Sequence, residues 1–341
     1  MSLFPQSRFK ANLKRLARLL PPLRTLLTER DDLRNKNADL QREVEKLAHE
    51  LGSSRAKFMA AWQQREDLWV PPGHFYSPIP DVEELKKNWV QVFRYPEHIS
   101  DVDINSQRQF ELLDQFQKWY TEQPFTAEKT PGQRYYFENV NFSYTDAIIL
   151  YCMMRYLRPR RIVEVGSGFS SCAMLDVNDL LFDGAIDFTF IDPYPELLLD
   201  LLKDTDRTRT RVVGQKVQYV GLEVFQELGP NDILFIDSSH VSKTGSDLNH
   251  LLFKVLPVLK DGVQIHFHDI FYPFEYPAEW AFEGRAWNEV YLLHAFLAHN
   301  AVYRIEFFNT YLIHNFRSRI AEQFPLFLKS VGGSLWIRKQ G

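Results

Sequence analysis

Arg161-Ile162-Val163-Glu164-Val165-Gly166-Ser167-Gly168-Phe169-Ser170-Ser171 is the stretch that decides the architecture. A short β-rich run stops at a glycine pair, and an apolar helical pattern follows near residues 169–182. Gly166 and Gly168 permit a tight turn and a close approach of a ligand to the backbone. The helix behind them presents free amides and the positive end of its dipole. Outward from this point, strands are predicted at 187–191, 216–220, 232–236 and 262–267. Helices near 195–203, 222–228 and 243–256 alternate with them. That alternation predicts a doubly wound α/β fold with a mostly parallel sheet. A helix near 286–298 precedes strands at 302–308 and 334–338, with the Gly332-Gly333 turn ahead of the second, which predicts an antiparallel final strand. Ligands of such sheets lie beyond the carboxyl ends of the strands, so the residues just after each strand are the candidates.

The composition supports one large core. With 27 Phe, 15 Tyr and 7 Trp in 341 residues, and 25% charged residues, disorder is excluded as the main state. The two cysteines, Cys152 and Cys172, lie in apolar helical patterns and read as buried, inert thiols. No apolar run approaches the roughly 20 residues of a membrane span. The start has no apolar stretch with a small-residue cleavage site, so a cytoplasmic setting is expected.

The N-terminal third is organised differently. Residues 1–24 carry Arg8, Lys10, Lys14, Arg15, Arg18 and Arg24 with no acid, +6, so the remaining chain carries −10 to give the net −4. Contact of residues 8–24 with an anionic membrane surface is one reading of this arm. A solvated terminus is the favoured one, because Pro21-Pro22 cut the segment short. Nucleic acid is not an expected partner, because the body is acidic and the arm lacks an aromatic reading surface. Leu26, Leu33, Leu40 and Leu47 then recur every seven residues, with Asn37, Val44 and Leu51 at the other seam position. This pattern over 25–68 predicts a coiled coil, hence a homo-oligomer through residues 26–51, with a break at Gly52-Ser53-Ser54. Residues 69–134 read as a helical cap or linker, and 135–341 as the main domain. The His74 and Tyr76 segment and the stretch 134–144 are candidates for folding over the site, and Asp146 reads as a local structural contact.

Two residues around the glycine turn argue against a dinucleotide. Glu164 would repel a pyrophosphate, and Ser171 replaces the third glycine of that fingerprint. A carboxylate there suits a ligand with an ammonium group. Asp192, at the end of the second strand, suits the two hydroxyls of a ribose, or else caps a helix begun by Pro193. Taken together, Glu164-Val165-Gly166-Ser167-Gly168 followed by Asp192 resembles the first two motifs of class I S-adenosylmethionine-dependent methyltransferases. The resemblance covers about residues 135–341. It implies that Gly166 and Gly168 pass beneath the methionine part, that Glu164 helps place its ammonium, and that Asp192 holds the ribose. It also implies an adenine pocket after strand three, assigned to Gly221-Leu222-Glu223.

Asp237, His268 and Asp269 follow strands four and five and are positioned to converge. Oxygen ligands with one imidazole suit Mg²⁺ or Mn²⁺, and also non-haem iron. Alternatively, Asp237 contacts the cofactor ammonium. The arrangement is similar to that of metal-dependent O-methyltransferases of the catechol and macrocin types. Those place a basic residue three positions after the strand-four acid, which here is His240. His240 is therefore the candidate general base, with an unperturbed pKa near 6.5 that suits proton removal. His266 reads as a core residue. The aromatic stretch 271–280 and the next helix start suggest a substrate wall, with Tyr276, Trp280 and Arg285 as its candidates. O-methylation of a hydroxyl on a glycan or secondary metabolite is the implied reaction. A metal-free N-methyltransferase, a non-haem iron oxygenase and a non-catalytic coiled-coil scaffold are the alternatives.

Overall fold

The computed structural model describes residues 21–63, 69–96 and 98–340. Most of the basic arm, residues 1–20, and residues 64–68 of the heptad segment lie outside them. The chain divides into two compact units, Met1–Ser77 and Pro78–Gly341. No helix among the described residues is long and apolar enough to cross a membrane.

In the first unit, helix α1 (Pro21–Gln63) runs unbroken through Gly52. The expected interruption there does not occur. One glycine costs a helix interior only about 1 kcal/mol relative to alanine, too little to stop a helix of 43 residues. After it, the segment of His74 and Tyr76 is irregular, and Trp69 stacks on Tyr76 at 5.2 Å.

The second unit is built on a seven-stranded sheet, ordered β3-β2-β1-β4-β5-β7-β6. Its strands are β1 (Arg161–Val165), β2 (Asp187–Ile191), β3 (Thr210–Val213), β4 (Ile233–Ile236), β5 (Gln264–Phe267), β6 (Tyr303–Phe308) and β7 (Leu335–Lys339). Strands β1 to β5 pair in parallel, and β7 is antiparallel to both of its neighbours, β5 and β6. The sheet is therefore the expected mostly parallel, doubly wound type with an antiparallel final strand. The central strands β1, β4 and β5 are buried along nearly their whole length, as parallel strands covered on both faces must be.

Helix α2 (Ser106–Tyr120) buries Leu112, Leu113 and Phe116 against β6, where Phe116 meets Phe307 at 5.3 Å. Helix α3 (Tyr144–Leu157) is apolar almost all round and packs into the core beside helix α4 (Phe169–Leu181). Cys152 and Cys172 lie buried on these two helices as free thiols, with burial raising both pKa values.

One strand differs from expectation. The third strand is Thr210–Val213, whereas 216–220 contains a 3-10 turn at Val217–Tyr219. Two facts hid the real strand. It lies at the sheet edge, only half covered, so it lacks the apolar signature of its neighbours. The Val217, Tyr219 and Val220 pattern imitates strand alternation over a turn. The residues after β3 are consequently Gly214-Gln215-Lys216, not Gly221-Leu222-Glu223.

The stretch before α3 is pinned by a buried ion cluster. Arg134 is nearly inaccessible, bonds Asp176 at 2.6 Å and Asp179 at 2.9 Å, and grips both oxygens of Asp206 at 2.6 and 2.7 Å. These contacts tie residues 134–135 to α4 and to the chain entering β3. Removing the cation leaves Asp176 buried without its counter-charge and Asp206 with Arg209 alone, at 2.8 Å. We expect Arg134→Ala to cost about 3–5 kcal/mol of stability, read by urea unfolding.

Candidate active site

The parallel register brings the strand ends level. Val165 pairs with Ile191 and with Ile236, and Ile236 pairs with Phe267. Gly166, Asp192, Asp237 and His268 therefore each stand one residue beyond the same edge of the sheet.

Gly166 has φ +80, and a Cβ there would lie 2.0 Å from the Asp237 carbonyl oxygen. Only glycine allows the ends of β1 and β4 to approach this closely. Gly168 is different: its φ of 170 is ordinary extended backbone, and a Cβ would make only a 3.4 Å contact with Leu197. The two glycines are thus not equivalent. The first is a steric necessity of the fold, and the second leaves room at the surface of the turn.

Glu164 is fully buried, and its two oxygens accept hydrogen bonds from the hydroxyls of Ser170 and Ser171. Ser171 Oγ in turn accepts the Gly168 N–H at 3.0 Å. Glu164 therefore positions the turn from beneath and does not itself face a ligand. Burial, reinforced by Asp237 and Asp192 and opposed by the serine hydroxyls, pushes its pKa up to about 8. Asp192 does not cap a helix. Its Oδ2 accepts both the backbone N–H and the hydroxyl of Ser167 at 2.9 Å, and Oδ1 accepts the Tyr194 N–H at 2.8 Å. Oδ1 keeps further acceptor capacity, and the side chain is half-buried against the glycine turn.

His240 is the centre of the site. It is buried at φ +59, a conformation that L-residues seldom adopt. Its carbonyl accepts the N–H groups of Asn288 and Glu289, at the start of helix α5 (Glu289–Leu297), and its Nδ1 meets Glu289 Oε2 at 2.7 Å. Its Nε2 lies 3.3 Å from Asp237 and 3.8 Å from Asp269, and Trp287 covers the ring at 4.3 Å. Burial opposes the imidazolium, but hydrogen bonds to Asp237 and Glu289 outweigh it and push the pKa up to about 10. In the free protein His240 is therefore cationic at neutral pH.

Asp269, also in the left-handed region, lies 3.6 Å from His268 Nε2. Desolvation opposes ionisation of Asp237, yet His268 and His240 hold its pKa down. The expected metal set of Asp237, His268 and Asp269 is not assembled. The His240 imidazole lies between the two aspartates, and among the described residues no three His, Cys, Asp or Glu side chains converge as metal ligands.

The wall candidates do come together. Tyr276, Trp280 and Trp287 form one aromatic cluster, with centroids 5.3 to 6.2 Å apart, and Arg285 lies 4.3 Å over Trp280. From the 134–144 stretch, Phe142 packs 5.3 Å from His268 and Tyr136 packs 5.7 Å from Phe169. His266 is buried against Phe235 and bonds Ser334 at 3.0 Å, as a core residue should.

Two roles escaped the sequence. Glu289 reads as one of the helix-start residues facing the cavity, but nothing local shows its partner 49 residues away. Asp146 is more than a local contact: it accepts hydrogen bonds from Gly333 N–H at 3.1 Å and Ser334 Oγ at 2.6 Å. It thereby fixes the Gly332-Gly333 turn, which packs against the Asp269 backbone. The double glycine was the available signal.

Comparison with known proteins now adds to this geometry. The profile of a family described as "Methyltransferase domain" matches residues 163–270. A protein of Archaeoglobus fulgidus, described as uncharacterized, is 33% identical over 183 residues, 51% of this chain and 81% of its own. Solved structures with faint likeness include the SAH-bound methyltransferase PaMTH1 of Podospora anserina. It has 14% identity and TM-score 0.39, covering 70% of this chain and 94% of its own. The O-methyltransferase TomG of Streptomyces achromogenes has 14% identity and TM-score 0.38, covering 76% of this chain and 97% of its own. The matched domain, the strand order and the glycine turn with its acids define an enzyme that transfers methyl groups. Residues 163–270 form a methyltransferase domain, carried on a sheet of the class I S-adenosylmethionine-dependent methyltransferase type.

Gly166→Ala is expected to cost on the order of 3 kcal/mol in urea unfolding, while Gly168→Ala stays within about 1 kcal/mol. Glu164 gives a pH test. Its folded pKa is raised, so its contribution is fully present below the ordinary value of 4.5 and is lost as pH rises through about 8. The stability of the wild type relative to Glu164→Gln should therefore decline across that window, by at most about 1.4 kcal/mol per pH unit.

Proposed function

We propose that this methyltransferase acts on a hydroxyl oxygen of a glycan or secondary metabolite, with His240 taking the proton and Glu289 orienting its ring. When bound, S-adenosylmethionine supplies an electrophilic methyl group on a sulfonium centre. The donor set suits it: Asp192 for the ribose hydroxyls, the backbone of Gly166 to Gly168 for the methionine part, and Asp237 for the ammonium. Glu164 acts indirectly, by holding Ser171 and through it the Gly168 amide. The residues following β3 that border the adenine are Gly214 to Lys216 in this reading.

The observation that carries the proposal is the His240–Glu289 contact of 2.7 Å beneath Trp287. A carboxylate on Nδ1 fixes the ring and leaves Nε2 facing the strand ends, the arrangement a general base needs. The base must be neutral before it can act. Asp237 and Glu289 hold the proton on His240 in the free protein. Once Asp237 pairs with a ligand cation, it ceases to favour the imidazolium, and burial then favours the neutral ring. With His240 Nε2 between Asp237 and Asp269, the proton transfer of this reading is carried by the imidazole. Tyr276, Trp280 and Trp287 offer aromatic faces to a sugar or aromatic ring, and Arg285 adds a cation at the rim.

His240→Asn should lower kcat by about 10²–10⁴-fold once an acceptor is in hand. For the wild type, kcat/KM should rise with pH toward the high pKa of free His240, and Glu289→Gln should move that limb to lower pH. Full activity in His240→Asn, or an unmoved limb in Glu289→Gln, contradicts the proposal.

A further inference from the structure

Helix α1 presents an apolar stripe that its own unit leaves uncovered. Leu26, Leu33, Leu40 and Leu47 are 56–66% exposed, and Val44 is 64% exposed. All lie on one helix of 43 residues, about 65 Å long. In heptad terms the leucines occupy d, and Arg30, Asn37, Val44 and Leu51 occupy a. On the helix surface away from the seam, Arg42 pairs with Asp39 at 2.6 Å. One face is built for water and the other for a second helix.

We propose that α1 pairs with α1 of a second copy of this chain as a parallel, in-register, two-stranded coiled coil over residues 26–51. Charge and polarity select both the occupant and the direction. In the parallel arrangement Glu29 at g meets the partner's Arg34 at e, and no like charges face each other at e and g. Asn37 meets the partner's Asn37 across the seam, where each amide satisfies the other. Reversing one helix over the same overlap sets Asn37 against the partner's Leu40 and Glu29 against the partner's Glu50, while Lys36 meets the partner's Glu43. Charge attraction and repulsion then offset, and a buried amide lacks a partner, so the reversed pair is disfavoured. An Asn at a single a position also selects two strands over three. Arg30 at a can reach outward along its stem and keep its charge in water, as its 2.6 Å contact with Asp31 already shows.

The test uses the full chain. Light scattering of the eluting protein at micromolar concentration should give about 80 kDa, twice 40.2 kDa. The double variant Leu33→Asp/Leu40→Asp should fall to one copy, with the near-ultraviolet circular dichroism of the body unchanged. Direction is read by oxidation of two single variants, Leu26→Cys and Leu47→Cys, since Cys152 and Cys172 are buried. Each variant should cross-link with itself. A wild-type mass of one or three copies overturns the proposal, as does a double variant that remains dimeric. Cross-linking only in a mixture of the two cysteine variants overturns the parallel direction.

Discussion

The site depends on one buried imidazole held by carboxylates. His240 is bound by Glu289 through Nδ1 and faces Asp237 and Asp269 through Nε2. Asp237 closes the β4 edge, Asp269 follows β5, and Glu289 begins α5. The ring therefore joins three elements that have no neighbouring sequence. It also gives the excess of acid at this edge a counter-charge, without which the carboxylates would repel one another. The left-handed backbone at both His240 and Asp269 is the conformational strain that accompanies this convergence.

Around that centre the supporting parts are steric. Gly166 admits the Asp237 carbonyl where any side chain would block it. Gly333 lets the chain entering β7 press on the Asp269 backbone, with Asp146 fixing that turn from below. Glu164, through Ser171, sets the amide of Gly168. Each of these residues acts on the site through backbone geometry. A turn loosened at any of them would displace the strand-end groups without removing one.

Much of this was legible in the sequence because parallel strands buried on both faces leave continuous apolar runs. Ile233-Leu234-Phe235-Ile236 is such a run and is β4, while the β-rich stretches at 161–165 and 187–191 coincide with β1 and β2, and the residues after them are the ones at the sheet edge. The edge strand β3 was hidden because Thr210-Arg211-Val212-Val213 is half covered and carries an arginine. Direction was the second limit. The sequence places Glu164 beside the glycines, but only packing shows that it points into α4. Likewise the strand ends bring Asp237, His268 and Asp269 to one edge, but only packing shows that His240, paired with Glu289, lies between the two aspartates. The leucine repeat was read correctly as a helix face, whereas Gly52 was given more breaking power than it has.

The most direct test of this account is the titration of the His240 ring followed by nuclear magnetic resonance, with and without S-adenosylhomocysteine. In the free protein the ring should be cationic at neutral pH and titrate well above its ordinary value, near 10. With the ligand's ammonium engaging Asp237, the midpoint should move down toward neutrality. A ring that titrates near 6.5 in both states, or whose midpoint ignores the ligand, contradicts the coupling between Asp237 and His240 on which the proposed chemistry rests.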